Sequence, residues 1–153
     1  MEDSTMLKVA MLSKWHVHAG GYANFVKNCG KCEIVAVWDD DAARGEAWAK
    51  ELGCEFVPCL DTLLAREDVE AVVCDAPTTA HKAVLIKAAK AGKHIFTEKA
   101  LCPTVAECLE VKQAIEEAGV TFVISYPQRG RPCVQFAKKM IAEGAFGDIT
   151  LVR

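Results

Sequence analysis

Along this chain, short apolar runs alternate with segments whose apolar residues recur at helical spacing. Val9-Ala-Met-Leu12 reads as a buried strand, and Tyr22, Phe25, Val26 and Cys29 follow at the three- and four-residue spacing of one helix face. Ile34-Val-Ala-Val-Trp38 is a second strand. Asp41 is placed to cap the next helix and Gly53 to end it. Glu55-Phe-Val57 predicts a short third strand, and Asp61 the cap of a short helix carrying Leu63 and Leu64. Ala71–Cys74 is a fourth strand, followed by a helix stripe of Ala80, Ala83, Val84, Ala88 and Ala91 that closes at Gly92. Lys82, Lys87 and Lys90 lie off that stripe, on a solvated face. His94–Thr97 is a fifth strand. Thr104-Val-Ala-Glu107 is a capping box opening a helix that stops at Gly119, and Thr121–Ile124 is a sixth strand. Pro132 suits the first turn of a last helix whose apolar face is Cys133, Phe136, Ala137, Met140 and Ile141. Asp148–Arg153 predicts the start of another strand. Apolar strands alternating with helices give an α/β fold, a doubly wound parallel sheet covered on both faces, of Rossmann-like type. The Tyr126–Pro132 stretch is the one predicted hinge.

Composition narrows the partners. The 153 residues suffice for one self-supporting core. They are 52% apolar and 25% charged, with a net charge of −3 and no lysine/arginine block, which argues against nucleic acid and anionic membrane surfaces. No apolar run approaches the ~20 residues of a membrane span. The acidic, polar start Met-Glu-Asp-Ser-Thr-Met is unlike a signal peptide, so a cytoplasmic location is expected. Eight cysteines form no metal pattern beyond Cys29-Gly-Lys-Cys32 and are expected to be structural thiols.

In a doubly wound sheet, ligands bind beyond the carboxyl ends of the strands. After the first strand comes Ser13-Lys-Trp-His-Val-His18, where a dinucleotide fold usually shows G-x-G-x-x-G. The glycines are absent, yet backbone N–H groups at a helix start still favour an anion, and Ser13, Trp15 and His16 are placed in that loop. His16 and His18 form an H-x-H pair. Two ligands are too few for a metal site, and none is expected. Asp39-Asp-Asp41 follows the second strand. Asp39 at the tip is the candidate acceptor of both adenosine ribose hydroxyls, which favours NAD over NADP, while Asp41 caps the next helix. Ala76-Pro-Thr-Thr-Ala-His81 follows the fourth strand, with Pro77 fixing a bend and Thr78 or Thr79 available as a cap; a plain turn and a cofactor contact both fit it. Glu98 and Lys99 follow the fifth. They suit a solvated turn or a site in which the ammonium donates to a substrate hydroxyl. Arg129 and Arg131 suit an anion or open solvent.

Taken in order, these stretches resemble the Gfo/Idh/MocA family of sugar and cyclitol dehydrogenases. The matching segments are Val35–Asp39 with Arg44, Asp68–Val72, Ala76-Pro77 with His81, Ala91–Ile95, Thr97–Ala100 and Gly144-x-x-Gly-x-Ile149, from Leu7 to Arg153. The resemblance implies an N-terminal dinucleotide-binding domain over residues 1–125. It also implies a connecting helix and first strand over 126–153, at the truncated start of a second α/β domain that holds most of the substrate site. It implies hydride transfer between NAD and a carbon bearing a hydroxyl on a sugar, cyclitol or related polyol, with a homo-oligomer expected. Glu98-Lys99-Ala100 corresponds to the family's Glu-Lys-Pro, with Ala100 in place of the proline, which implies Lys99 as the catalytic residue. The cofactor-binding set is then Ser13, Trp15, His16, Asp39, Arg44, Ala76, Pro77, Thr78, His81 and Glu98. The family's helix start fits His18…Tyr22, which makes the first loop about three residues shorter than usual and puts Ser13 at the place of the first glycine. A non-catalytic nucleotide-binding or scaffold protein is the alternative, because the glycines are missing.

Overall fold

The computed structural model describes residues 6–151. Six strands form one parallel sheet: β1 (Leu7–Leu12), β2 (Cys32–Trp38), β3 (Glu55–Phe56), β4 (Ala71–Cys74), β5 (His94–Thr97) and β6 (Phe122–Ile124). Their order is β3-β2-β1-β4-β5-β6, the doubly wound arrangement in which the chain runs outward in both directions from β1. Helices α1 (Ala19–Asn28), α2 (Ala42–Leu52), α3 (Leu60–Leu64), α4 (Thr78–Lys90) and α5 (Val105–Ala118) connect the strands, and α6 (Pro132–Ala142) follows the sheet.

Alternation along the central strands builds two cores. Ala10, Leu12, Val72 and Cys74 face a cluster with Leu63, Leu85, Ala88 and Val111 from α3, α4 and α5. Val9, Met11, Ala71 and Val73 face the other way, onto Ala19, Ala23, Val26 and Trp48 from α1 and α2. Both sheet faces are thus dry, as crossover helices require. Asp41 accepts from the Arg44 N–H to start α2, and Gly53 ends it at φ 76°. The Thr104/Glu107 capping box is fully formed, and Gly119 closes α5 at φ 66°. All eight cysteines are free thiols, with Cys74 and Cys102 buried. Among the described residues no helix is long and apolar enough to cross a membrane.

Several local expectations are corrected. In α1 the buried residues are Ala19, Ala23 and Val26, while Phe25 is 70% exposed. In α4 they are His81, Val84, Leu85, Ala88 and Ala89, and Ala83 and Ala91 face solvent. In α1 small residues set the buried face, whereas in α4 the buried face is turned toward the larger His81 and Leu85. Asp61 lies inside α3, whose N-cap is Cys59. The N-cap of α4 is Pro77, and neither Thr78 nor Thr79 caps it. Asp148–Leu151 form no strand, and the last two positions of that expected strand lie outside the described residues. A strand takes shape only when a ladder partner satisfies its backbone, and among the described residues Asp148–Leu151 pair with no strand. The predicted hinge folds as a 3-10 turn at Pro127–Gly130. Helix α6 forms with the expected face, yet buries none of it.

Candidate functional site

The carboxyl ends of β1, β2, β4 and β5 bring four loops together. The first loop turns sharply after β1. Ser13 adopts φ 69°, the left-handed conformation for which a glycine is the usual choice. It is fully buried, and its Oγ lies 3.1 Å from Asp40 Oδ1 and accepts from the Trp15 N–H at 3.2 Å. A short hydroxyl that bonds locally is what makes this turn tolerable without glycine. The His16 N–H donates to the Asp75 carbonyl at 3.1 Å, which ties the loop to the tip of β4. No side chain caps α1; the Ala19 N–H bonds the His16 carbonyl, and the N–H groups of Gly20 and Gly21 remain available to an anion.

At the tip of β2, Asp39 is 3% exposed and its carboxylate is committed internally. It accepts from Arg44 Nη2 at 2.5 Å and Nε at 2.9 Å, from the Lys14 N–H at 2.8 Å and from the Asp41 N–H at 3.0 Å. A carboxylate offers about four acceptor positions, so none is left for a ribose. Burial alone would raise this carboxyl, but Arg44 and the two backbone N–H groups hold it below the ordinary range. Asp40 is the outward-facing acid. It is half exposed, and Arg44 Nη2 lies 2.8 Å from its Oδ1.

His81 is likewise turned inward. Its Nε2 lies 2.9 Å from the Ala76 carbonyl, and its Nδ1 lies 3.0 Å from the carbonyls of Ala100 and Leu101. It clamps the loop after β4 onto the loop after β5 and so sets the positions of Pro77 and Lys99. Ala76 is buried, Pro77 and Thr78 are partly exposed, and Trp15 stands half in solvent.

Glu98 is the centre of the site. Its carboxylate is 1% exposed and accepts from the Tyr22 hydroxyl, from the Lys99 N–H at 3.0 Å and from His18 Nδ1 at 2.9 Å. Lys99 Nζ lies 3.8 Å from its other side, on an exposed side chain, and the Lys99–Ala100 peptide is cis. Burial pushes Glu98 up, yet the bonds from Tyr22, His18 and Lys99 bring it below the ordinary carboxylate value. Tyr22 is pushed up to about 12 by its burial and by Glu98, and its hydroxyl also bonds Ser125 Oγ at 2.7 Å. Asp75 lies fully buried at the tip of β4 with no partner on either carboxylate oxygen. Burial, with the charge of Glu98 added, pushes it up to about 7. His16, lowered by its own burial, completes a group in which one ligand atom each from His16, His18 and Glu98 lies within 4.8 Å of the others.

Of the residues expected at the site, Ser13, Trp15, His16, Ala76, Pro77, Thr78, Glu98 and Lys99 stand around these strand tips, with Arg44 beside them. Asp39 and His81 support the loops from inside. The structure adds Tyr22, Asp75 and Ser125, which sequence reasoning did not single out. Tyr22 stands four residues beyond His18 on the helix start, and Asp75 is a lone acid closing a buried strand. Both were legible signals.

Comparisons with known proteins agree with this geometry. The profile of the GFO_IDH_MocA family, an oxidoreductase family with an NAD-binding Rossmann fold, matches residues 14–126. The 2,7-anhydro-N-acetylneuraminate hydratase of Escherichia coli is 36% identical over 127 residues, covering 83% of this chain and 34% of that protein. The scyllo-inositol 2-dehydrogenase (NAD(+)) of Bacillus subtilis is 32% identical over 125 residues, covering 81% of this chain and 36% of that protein. In fold, the crystal structure of myo-inositol 2-dehydrogenase from Lactobacillus plantarum overlays 95% of this chain and 43% of its own at a TM-score of 0.82 and 24% identity. The chain spans about a third of the length of the curated relatives it matches. It belongs to the Gfo/Idh/MocA oxidoreductase family and forms that family's NAD-binding Rossmann domain.

Proposed function

We propose that this domain serves hydride transfer between NAD and a hydroxyl-bearing carbon of a sugar, cyclitol or related polyol. The observation that carries this reading is the meeting of Glu98 and Lys99, at the tip of β5, with the uncapped start of α1 at the tip of β1. Bound NAD would supply the hydride acceptor. The uncapped N–H groups of α1 suit its pyrophosphate. The outward-facing Asp40, steadied by Arg44, suits the adenosine ribose in place of the committed Asp39. With Asp39 beside it, two carboxylates at this tip disfavour a 2′-phosphate and so favour NAD over NADP. Ala76, Pro77 and Thr78 would line the nicotinamide half, held in place by His81. Lys99 presents a donor to the substrate hydroxyl and steadies the alkoxide that develops as hydride leaves. Glu98, kept ionised by three donors, lies 3.8 Å from the Lys99 ammonium and holds the lysine in place.

The names of the relatives, a scyllo-inositol 2-dehydrogenase and a 2,7-anhydro-N-acetylneuraminate hydratase, support the substrate class. Trp15, half exposed in the first loop, gives the test a reporter. Titration with NADH is expected to quench tryptophan fluorescence saturably, with NADPH clearly weaker and Asp40→Ala binding NADH roughly tenfold less tightly. A flat titration with both nucleotides rejects the reading. The inward commitment of Asp39 favours a second reading, a nucleotide-binding scaffold without turnover. Saturable NADH binding in a protein that oxidises no polyol would select it.

A further inference from the structure

The first loop carries two histidines, one in the cofactor loop and one bonded to Glu98, to which the hydride-transfer reading gives no chemical step. His16 and His18 are one residue apart, with ring centroids 4.8 Å from each other. Glu98 reaches them from β5, so three donor atoms of metal-ligating type converge within 4.8 Å. His18 Nδ1 and Glu98 Oε2 lie 2.9 Å apart, and a cation that displaced the proton between them would find a lone pair on each. The carboxylate is held in place for that role: Tyr22 donates to the same oxygen and is itself held by Ser125, while the Lys99 N–H takes the other oxygen. Ligands fixed by a second layer of hydrogen bonds are the usual construction of a metal site.

A separate observation points the same way. The Asp75 carboxylate is fully buried with neither oxygen bonded, and its backbone carbonyl accepts from the His16 N–H. A buried carboxylate without a counter-charge is costly to keep. The unbonded Asp75 carboxyl and the Glu98 carboxylate lie at adjoining strand tips, where a bound cation would offset both.

We propose that His16, His18 and Glu98 bind one divalent first-row transition cation, best matched by Zn²⁺, with Asp75 supplying the balancing charge. Two imidazoles and a carboxylate suit zinc and its neighbours. Mg²⁺ and Ca²⁺ prefer shells of oxygen alone. Three protein ligands would leave a coordination position open to water or a substrate oxygen. The site shares Glu98 with the nicotinamide reading, so metal binding is read without nucleotide and the two proposals can fail separately.

The test is calorimetric titration of the reduced 153-residue chain with ZnCl₂, together with absorption spectra of its Co²⁺ form. The rival ligands are the thiols of Cys29 and Cys32, which are also close. The proposal expects one equivalent of Zn²⁺ bound at micromolar affinity or tighter, no competition by Mg²⁺, and a cobalt spectrum without thiolate charge-transfer bands. His16→Ala and His18→Ala, at positions outside the buried core, should each weaken binding roughly tenfold or more, and Asp75→Asn should weaken it less at the same stoichiometry. Cys29→Ser/Cys32→Ser should bind as the parent does. Absent binding, a thiolate cobalt spectrum, or histidine variants that bind like the parent would each overturn the proposal.

Discussion

Ser13 shows how one residue replaces a glycine. Its φ of 69° costs an L-residue about 1 kcal/mol, and its Oγ offsets that through bonds to the Trp15 N–H and Asp40. Ser13→Ala keeps the strain and loses the bonds, so it should lower stability by about 1–2 kcal/mol. Ser13→Gly loses the bonds and the strain together and should fall near the parent. Urea midpoints of the two variants decide this, and equal losses in both would show that the backbone conformation carries no cost. Asp39 and Arg44 give a second prediction. Removing one partner of a buried pair leaves an uncompensated charge, so Arg44→Leu should cost about 2 kcal/mol at pH 7. In the parent, Asp39 is held below its unfolded value, so its contribution is present above that value and is lost as pH falls through the folded one. In the variant the guanidinium is gone while burial still raises the carboxyl. Asp39 then takes up a proton at a higher pH, which relieves the cost. The gap between parent and variant should therefore narrow from pH 7 to pH 4. A constant gap across that range would assign Arg44 a packing role only.

At the scale of elements, Gly45 in α2 reverses what helix propensity says. A glycine inside a helix ordinarily costs about 0.5–1 kcal/mol against alanine. Here an added Cβ would meet Phe56 Cε2 at 2.3 Å and Asp39 Cβ at 2.8 Å. The phenyl ring can turn aside, but the Asp39 Cβ is fixed by a carboxylate with four donors. Gly45→Ala should therefore destabilise by about 1–3 kcal/mol, seen as a lower thermal midpoint, while a raised midpoint would mean that α2 can lift off the sheet. The element order and most boundaries were legible because strand runs, caps and terminal glycines are local signals. The buried faces of α1 and α4 were less so. In α1 the buried positions are mostly alanines, which carry little apolar contrast beside the larger Phe25 that the spacing pointed to, and in α4 the alanines on every side hid the turn of the face toward His81 and Leu85. The site divides in the same way. Strand-tip positions such as Lys99, Glu98 and Trp15 follow from topology. The inward turn of Asp39 and His81 depends on hydrogen bonds to backbone that no spacing reveals. The meeting of Tyr22, Ser125 and Glu98 joins positions about a hundred residues apart, a contact set by sheet order.

At the scale of the whole molecule, one feature stands outside the two cores. Helix α6 is amphipathic, yet Val134, Phe136 and Ile141 remain exposed, Phe136 at 61%. Val123 on the edge strand β6, Tyr126 beside it, and Phe146 and Ile149 after α6 are exposed as well. Contiguous apolar surface beyond a few hundred Å² is uncommon on a protein that works alone, and it binds hydrophobic probes. The chain should therefore enhance the fluorescence of an anilinonaphthalene dye while fully folded. Phe136→Ser/Ile141→Ser should cut that enhancement by about half or more. Because neither side chain is buried, the double variant should keep its thermal midpoint within about 0.5 kcal/mol of the parent in stability terms. A large loss of stability would mean that α6 packs on the sheet domain in solution. Unchanged dye binding at unchanged stability would place the apolar surface elsewhere, with β6 and its exposed Val123 as the next position to alter.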